Sequence, residues 1–169
     1  TDVVMAEGVE EDELVGLAAA LERKSEHPLA EAVCAYADGR DVASEAEVEG
    51  FEQVAGGGLA GTVAGYAVLA GNARLMAQRG VDVSGLTRAA DDMAARGRTP
   101  LFFAADGSAL GLMGVADVVK PSSAEAVARL RQMGVRTIML TGDQAATAQV
   151  VADQVGVDEV VAQLRERRE

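Results

Sequence analysis

From Gln53 to Ala73 the chain carries no charged residue. A run of this kind has two structural solutions: an apolar helix in a bilayer, or strands that pair with their neighbours. Gly57, Gly61 and Gly65 have the spacing of a membrane helix-packing motif. The stretch is nevertheless rich in glycine and poor in the Leu, Ile and Phe that drive insertion. Two short strands joined by a turn at Ala64-Gly65 fit it better, and a transmembrane reading is rejected.

At 169 residues the chain has room for one domain, or for one small domain and part of another. Apolar residues make up 49% of it, enough for a real core. Aromatics are only 3% and Trp is absent, so that core must be built from Ala, Val, Leu and Met. A formal net charge of −12 argues against a nucleic-acid partner and against docking on an anionic lipid surface. A small anionic ligand stays open, because backbone amides and helix ends bind phosphate locally. Cys34 is the single cysteine, which excludes an internal disulfide and a cysteine-rich metal site and points to a reducing, cytoplasmic setting. No signal peptide is expected, since Thr1-Asp2-Val3-Val4 opens neither a basic nor a long apolar stretch.

Along the chain, Glu10 to Arg23 reads as an amphipathic helix with Leu14, Leu17, Ala18 and Leu21 on one face. The acidic run Glu10-Glu11-Asp12-Glu13 suits the positive end of its dipole. Ser25-Glu26-His27-Pro28 interrupts it, and Pro28 opens a second helix to Ala37 that Gly39 stops. Strand-like pieces follow near Phe51-Val54, Leu59-Val63 and Tyr66-Ala70, then helices over Asn72–Gln78 and Leu86–Ala95. Thr99–Ala104 and Leu110–Val115 read as a hairpin around Asp106-Gly107. After Ala116 the pattern becomes helix, strand, helix: Pro121 to Met133, a buried-type strand Arg136–Leu140, and Gln144 to Val155. Thr141-Gly142-Asp143 is the loop at that strand's carboxyl end, where parallel α/β sheets bind ligands. Residues 1–116 are therefore expected to form an α+β domain with an antiparallel sheet flanked by helices. Residues 117–169 are expected to form part of a Rossmann-like α/β domain, with the hinge near 117–121.

Several residues could carry chemistry. His27, the only histidine, is either a loop residue or helix cap, or a ring that stacks on and hydrogen-bonds a planar base. Glu22 is either a solvated helix residue or a carboxylate folded by the turn at Ser25 into the same pocket, where it would accept from an adenine amino group. Gly56-Gly57-Gly58 marks either a tight turn or a close approach of backbone to ligand. No helix follows it and no Gly-Lys-Ser/Thr is present, so it is neither a dinucleotide fingerprint nor a P-loop. Gly71-Asn72 ends a strand and opens a helix, so Asn72 is an N-cap, a phosphate or ribose contact, or both. Thr141 and Gly142 could hold a phosphoryl oxygen. Lys24 and Lys120, the only lysines, are read as surface charges.

In order and spacing these stretches resemble the cytoplasmic ATP-binding region of heavy-metal P-type ATPases, the copper-transporting type most closely. Ser25-Glu26-His27-Pro28-Leu29-Ala30 matches that class's nucleotide-domain loop. Val54-Ala55-Gly56-Gly57-Gly58 and Gly71-Asn72 match its paired glycine elements, and Asp117-Val118-Val119-Lys120 its second hinge. Thr141-Gly142-Asp143 matches its phosphorylation-domain motif, of the haloacid-dehalogenase type, with Gln144 where Asn is usual. The resemblance implies that Glu22, His27, Gly56, Gly58, Gly71 and Asn72 line an ATP pocket, with Glu22 and His27 at the adenine. It implies that Thr141, Gly142 and Asp143 support the transferred phosphoryl group. It further implies Mg²⁺ accompanying ATP, with its main ligands outside this chain, and no metal site within it.

The family's phosphorylated Asp-Lys-Thr-Gly-Thr and its Gly-Asp-Gly-x-Asn-Asp segment do not occur in the sequence. They are expected before Thr1 and after Glu169, so the fragment alone is expected to be inactive. Leu164-Arg165-Glu166-Arg167-Arg168 departs from the family's Leu-Pro-Glu-Asp-Lys. The implied partners are ATP or ADP and the actuator and membrane domains of a parent pump. The implied location is the cytoplasmic side of a bacterial or archaeal cell membrane, without direct lipid contact. Two other readings compete: a phosphatase of the related haloacid-dehalogenase type, whose Asp-x-Asp is absent here, and a non-catalytic nucleotide-sensing or protein-interaction module.

Overall fold

The computed structural model of the chain describes residues 1–116, 121–142 and 145–162. The hinge residues Asp117-Val118-Val119-Lys120, the pair Asp143-Gln144 and the segment 164–168 lie outside the described residues. The fold divides into two compact units. One holds Thr1–Asp91 and Pro100–Val115; the other holds Asp92–Thr99 with the described residues from Ala116 onward.

The first unit is built on a six-stranded sheet. Its strands are β1 (Asp2–Met5), β2 (Val48–Val54), β3 (Gly58–Val63), β4 (Tyr66–Gly71), β5 (Arg98–Ala105) and β6 (Ser108–Ala116), in the order β1-β6-β5-β4-β3-β2. The uncharged run becomes the β3–β4 hairpin, with Val63 opposite Tyr66 and Gly58 opposite Gly71. Its turn falls at Ala64 (φ 50°) and Gly65 (φ 87°). Two successive positive φ values twist a two-residue turn in the same sense as its strands, which is why short hairpins favour them. The β5–β6 turn repeats the device with Asp106 (φ 49°) and Gly107 (φ 80°), and the Asp106 carboxylate accepts from the Ala67 N–H at 2.8 Å. β1 was not foreseen in the sequence. It pairs antiparallel with β6, Val3 opposite Met113, and closes one edge of the sheet.

Helices α1 (Glu11–Glu22) and α2 (Pro28–Gly39) cover one face. α1 turns Leu14, Val15, Ala18 and Leu21 fully inward, toward Val63, Val68, Phe103 and Met113. Each buried Leu or Val contributes roughly 1.5–3 kcal/mol. The contact is close because the strand side is pared down: a Cβ at Gly61 would lie 3.0 Å from Leu21 Cδ1. α2 adds Val33 and Ala37 to the same cluster. Arg23 ties the two helices together, donating to Asp38 and to the Ser44 hydroxyl. Successive strand residues face opposite ways, so Phe102 and Phe103 bury on different sides of β5. Leu75 and Met76 of helix α3 (Ala73–Gln78) are fully buried outside the α1–α2 cluster. Helix α4 (Thr87–Ala95) follows a short 3₁₀ turn at Ser84–Leu86.

The second unit carries α5 (Pro121–Gln132), β7 (Ile138–Leu140), α6 (Ala145–Val155) and β8 (Glu159–Val161). β7 and β8 pair in parallel, Met139 opposite Val160, as a helix–strand–helix unit of an α/β domain requires. β8 is a second strand that the sequence reading did not identify. The expectation of a buried strand is corrected: Ile138 is 49% exposed and Leu140 65%. Among the described residues β7 has only β8 beside it, and a two-stranded pair covers few of its own apolar side chains. Across the pair, the Thr137 N–H and hydroxyl both donate to the Asp158 carboxylate, at 2.9 and 3.0 Å. Those bonds hold Asp158 below its ordinary pKa. No helix among the described residues is long and apolar enough to cross a membrane.

Candidate functional site

Glu22 closes α1 and His27 opens α2, and the turn between them folds both into one cleft. Backbone bonds set that turn: the Lys24 N–H donates to Leu21 O at 3.2 Å and the Ser25 N–H to Glu22 O at 2.8 Å. The His27 N–H then donates to the Ser25 hydroxyl at 3.2 Å. His27 has extended backbone and caps α2: its Nδ1 accepts from the Leu29 N–H at 3.2 Å, with Pro28 at the first helical position. Pro28 has no N–H to leave unpaired there. An Nδ1 that accepts leaves the proton of a neutral imidazole on Nε2, so the exposed edge of the ring presents a donor. The two readings of His27 are thus compatible. One nitrogen caps the helix and the other faces outward.

The cleft has a volume of about 430 Å³ and is lined by Glu22, Ser25, His27, Ala30, Glu31 and Cys34, among others. That size suits a small planar ligand. Glu22 is only 5% exposed and has no hydrogen-bond or ion-pair partner among the described residues. Burial pushes its pKa up to about 7, because a desolvated carboxylate loses hydration that nothing replaces. Burial also raises the Cys34 thiol, with Arg23 opposing and Glu22 adding to the effect. Glu31 and Cys34 were missed in the sequence. Their separations from His27, four and seven residues, are those of one helical face, and that spacing was the available signal.

The paired glycine elements meet one another. Gly57 N–H donates to Val54 O at 3.0 Å and closes the β2–β3 turn, and Asn72 N–H donates to Gly57 O at 3.0 Å. Asn72 caps α3, its Oδ1 accepting from the Leu75 N–H at 2.9 Å while its Nδ2 donates to Gly56 O at 3.0 Å. Arg74 donates to the same carbonyl. We expect Asn72→Ala to cost about 1 kcal/mol through the lost cap, measured by denaturant unfolding. Gly58 and Gly71 are needed by the fold itself. A Cβ on Gly58 would lie 2.0 Å from Ala70 O, and one on Gly71 would lie 2.2 Å from Gly57 O. The glycines therefore permit backbone to pass backbone. The further expectation, that they clear space for a ligand, is not needed to explain them.

Gly56, Gly58, Gly71 and Asn72 do not line the Glu22–His27 cleft. Both groups belong to the first unit. Leu21, next to Glu22, sits on Gly61, three residues along β3 from Gly58, or about 10 Å at the rise of a strand. Thr141 and Gly142 follow β7 in the second unit, the Thr141 N–H donating to Val161 O at 3.0 Å. A second cleft of similar volume, about 410 Å³, lies between α5 and α6 and is lined by Ala124, Ala128, Arg131, Gln132 and Val155. It contains no residue of any motif. No group of three or more metal-ligating side chains occurs among the described residues.

The sequence model of the haloacid dehalogenase-like hydrolases matches residues 3–167, and the chain belongs to that family. Within it, the chain is similar to metal-pumping P-type ATPases. It is 42% identical over 164 residues to copper-transporting ATPase 2 of Rhizobium meliloti (strain 1021), covering 97% of this chain and 20% of that protein. It is similar in fold and sequence to a zinc-transporting PIB-type ATPase solved in an E2.Pi state, with TM-score 0.66 and 28% identity over 97% of this chain and 26% of the other. The fold alone is shared with the catalytic domain of the CPx-ATPase CopB-B, with TM-score 0.63 and 18% identity over 96% of this chain and 55% of that one. The chain thus spans about a fifth of the length of the curated relative.

Proposed function

We propose that this chain is the ATP-binding part of a heavy-metal P-type ATPase of the copper-transporting type, which holds ATP for transfer to an Asp that is not in this sequence. One observation carries the reading. A buried carboxyl without a partner and a histidine with a free ring edge face the same cleft, and each has chemistry to offer an adenine base. The carboxyl group hydrogen-bonds the base edge, and the imidazole stacks on the ring or donates to it. Gly56, Gly58, Gly71 and Asn72 are assigned to the ribose and phosphates by the match of the paired glycine elements to the family. Thr141, Gly142 and Asp143 are assigned to the phosphoryl group, by the match of that motif to the family. Mg²⁺ would arrive with ATP; the described residues supply no cluster to hold it. Cytoplasmic placement, and contact with the actuator and membrane domains of a parent pump, follow from the similarity to membrane ATPases and belong to the same proposal.

We expect ATP to bind the first unit with a Kd of roughly 10⁻⁴–10⁻³ M, or ~4–5 kcal/mol, as a shallow cleft without a P-loop allows. His27→Asn is the informative variant, because Asn retains a cap oxygen for the Leu29 N–H but removes the ring. Its affinity for ATP should fall about tenfold with stability little changed. Amide chemical shifts and calorimetry would measure both. Unchanged shifts around His27 at millimolar ATP would remove the site.

A further inference from the structure

We propose that Glu22 reads the base through its own proton: the neutral carboxyl selects adenine, and loss of the proton abolishes that preference in favour of guanine. The inference rests on the nucleotide reading above and adds the specificity rule of that site.

The geometry supplies the neutral acid. Glu22 is 5% exposed, lines the cleft, and has no partner among the described residues to stabilise its charge. An unpaired charge so placed tends to neutralise. Arg23, which caps the end of the same helix, also lines the cleft, but its guanidinium is engaged by Asp38 and the Ser44 hydroxyl and makes no ion pair with Glu22. The connecting turn brings His27 and Glu26, and α2 brings Glu31 and Cys34. Of the strands packed on α1, β3 has no ionisable side chain, β4 has only Tyr66, β2 has Glu49 and Glu52, and β1 has Asp2; none of these lines the cleft.

The selection follows from donor and acceptor patterns. Adenine presents its amino N6–H beside an acceptor nitrogen on either edge, N1 or N7. A neutral carboxyl matches that pair: its carbonyl accepts from N6–H and its O–H donates to the ring nitrogen. A carboxylate only accepts, so it leaves the ring nitrogen facing a lone pair. Guanine presents two adjacent donors, N1–H and N2–H, which a carboxylate accepts and a neutral carboxyl meets with its own donor. One proton therefore exchanges one match for the other, and adenine binding above the pKa takes up one proton from solvent. The upward shift to about 7 places the change inside the ordinary pH range.

The test is the ratio of ATP to GTP affinity, measured by calorimetry from pH 6 to pH 8. Phosphate titration is common to both ligands and cancels in the ratio. For neutral and charged fractions set by a pKa near 7, affinity for ATP should fall and affinity for GTP should rise, each about tenfold, so the preference for ATP should fall about a hundredfold across that range. Glu22→Gln carries a permanent donor and acceptor, and its ratio should stay at the low-pH value throughout. A wild-type ratio that is flat or rises with pH, while ATP still binds, overturns the proton rule and leaves the nucleotide site standing. A Glu22→Gln ratio that changes as the wild type does also overturns it, by assigning the titration to another group. Binding of neither nucleotide at any pH sinks the site and the rule together.

Discussion

A Gly58→Val chain is expected to lose its cooperative fold, not merely its ligand. The new Cβ would have to occupy a point 2.0 Å from Ala70 O and 2.6 Å from Gly71 Cα, at a φ of +147° that branched side chains resist. Both obstacles are backbone of the paired strand, so no rotamer change relieves them. Separating β3 from β4 would break the hairpin that lies under α1, which contacts both strands. The cost should be roughly 3 kcal/mol or more, the range of overpacking combined with backbone strain. That is a large part of a small domain's total stability. Denaturant unfolding followed by circular dichroism would show it. In sequence Gly58 reads either as a turn glycine or as a close approach of backbone to ligand, and the register Gly58 opposite Gly71 makes the fold itself depend on it. A variant that folds with wild-type stability but no longer binds ATP would show that ligand space, and not the strand pairing, is what requires the glycine.

What was legible in the sequence was mostly local. The turn at Ala64-Gly65, Pro28 at the start of α2 and the Leu14–Leu21 stripe all state their roles within a few residues, and all stand where they were read. The motif order gave the fold class, because it spans the whole chain. What escaped depends on partners far away in sequence. β1 is four residues of Asp-Val-Val-Met that become a strand only because β6 lies beside them. β8 is similar, and the exposure of Ile138 and Leu140 depends on what lies next to β7 rather than on their own hydrophobicity. Glu22 divides between the two: the family resemblance names it as a site residue, but its burial is not legible, because a position at the end of an amphipathic helix reads by itself as solvated. Yet α2 and the Ser25 turn close over it, and a charge pattern along one helix carries no record of what folds back onto it.

That closure makes Glu22 a cost to the fold, and the cost has a definite pH dependence. The unfolded carboxyl titrates near 4.5 and the folded one near 7. Between those values the native state binds more protons than the unfolded state, so stability falls as pH rises. Below the unfolded pKa both states are protonated and the penalty is absent; above the folded pKa it is fully present. The shift corresponds to about 3 kcal/mol, which is large for one surface-proximal residue. Glu22→Gln removes the titration and keeps the shape. Its stability relative to the wild type should therefore rise between pH 5 and pH 8 by an amount approaching that figure. Parallel urea titrations at each pH would measure it, with the m-value checked for constancy. A difference between the wild type and Glu22→Gln that stays flat across the window would mean that the carboxyl remains hydrated, and its burial would then give it neither a fold penalty nor a proton to lend a base. A rising difference would mean that the chain retains an unfavourable group where an apolar one would stabilise it, as expected of a residue kept for binding and not for folding.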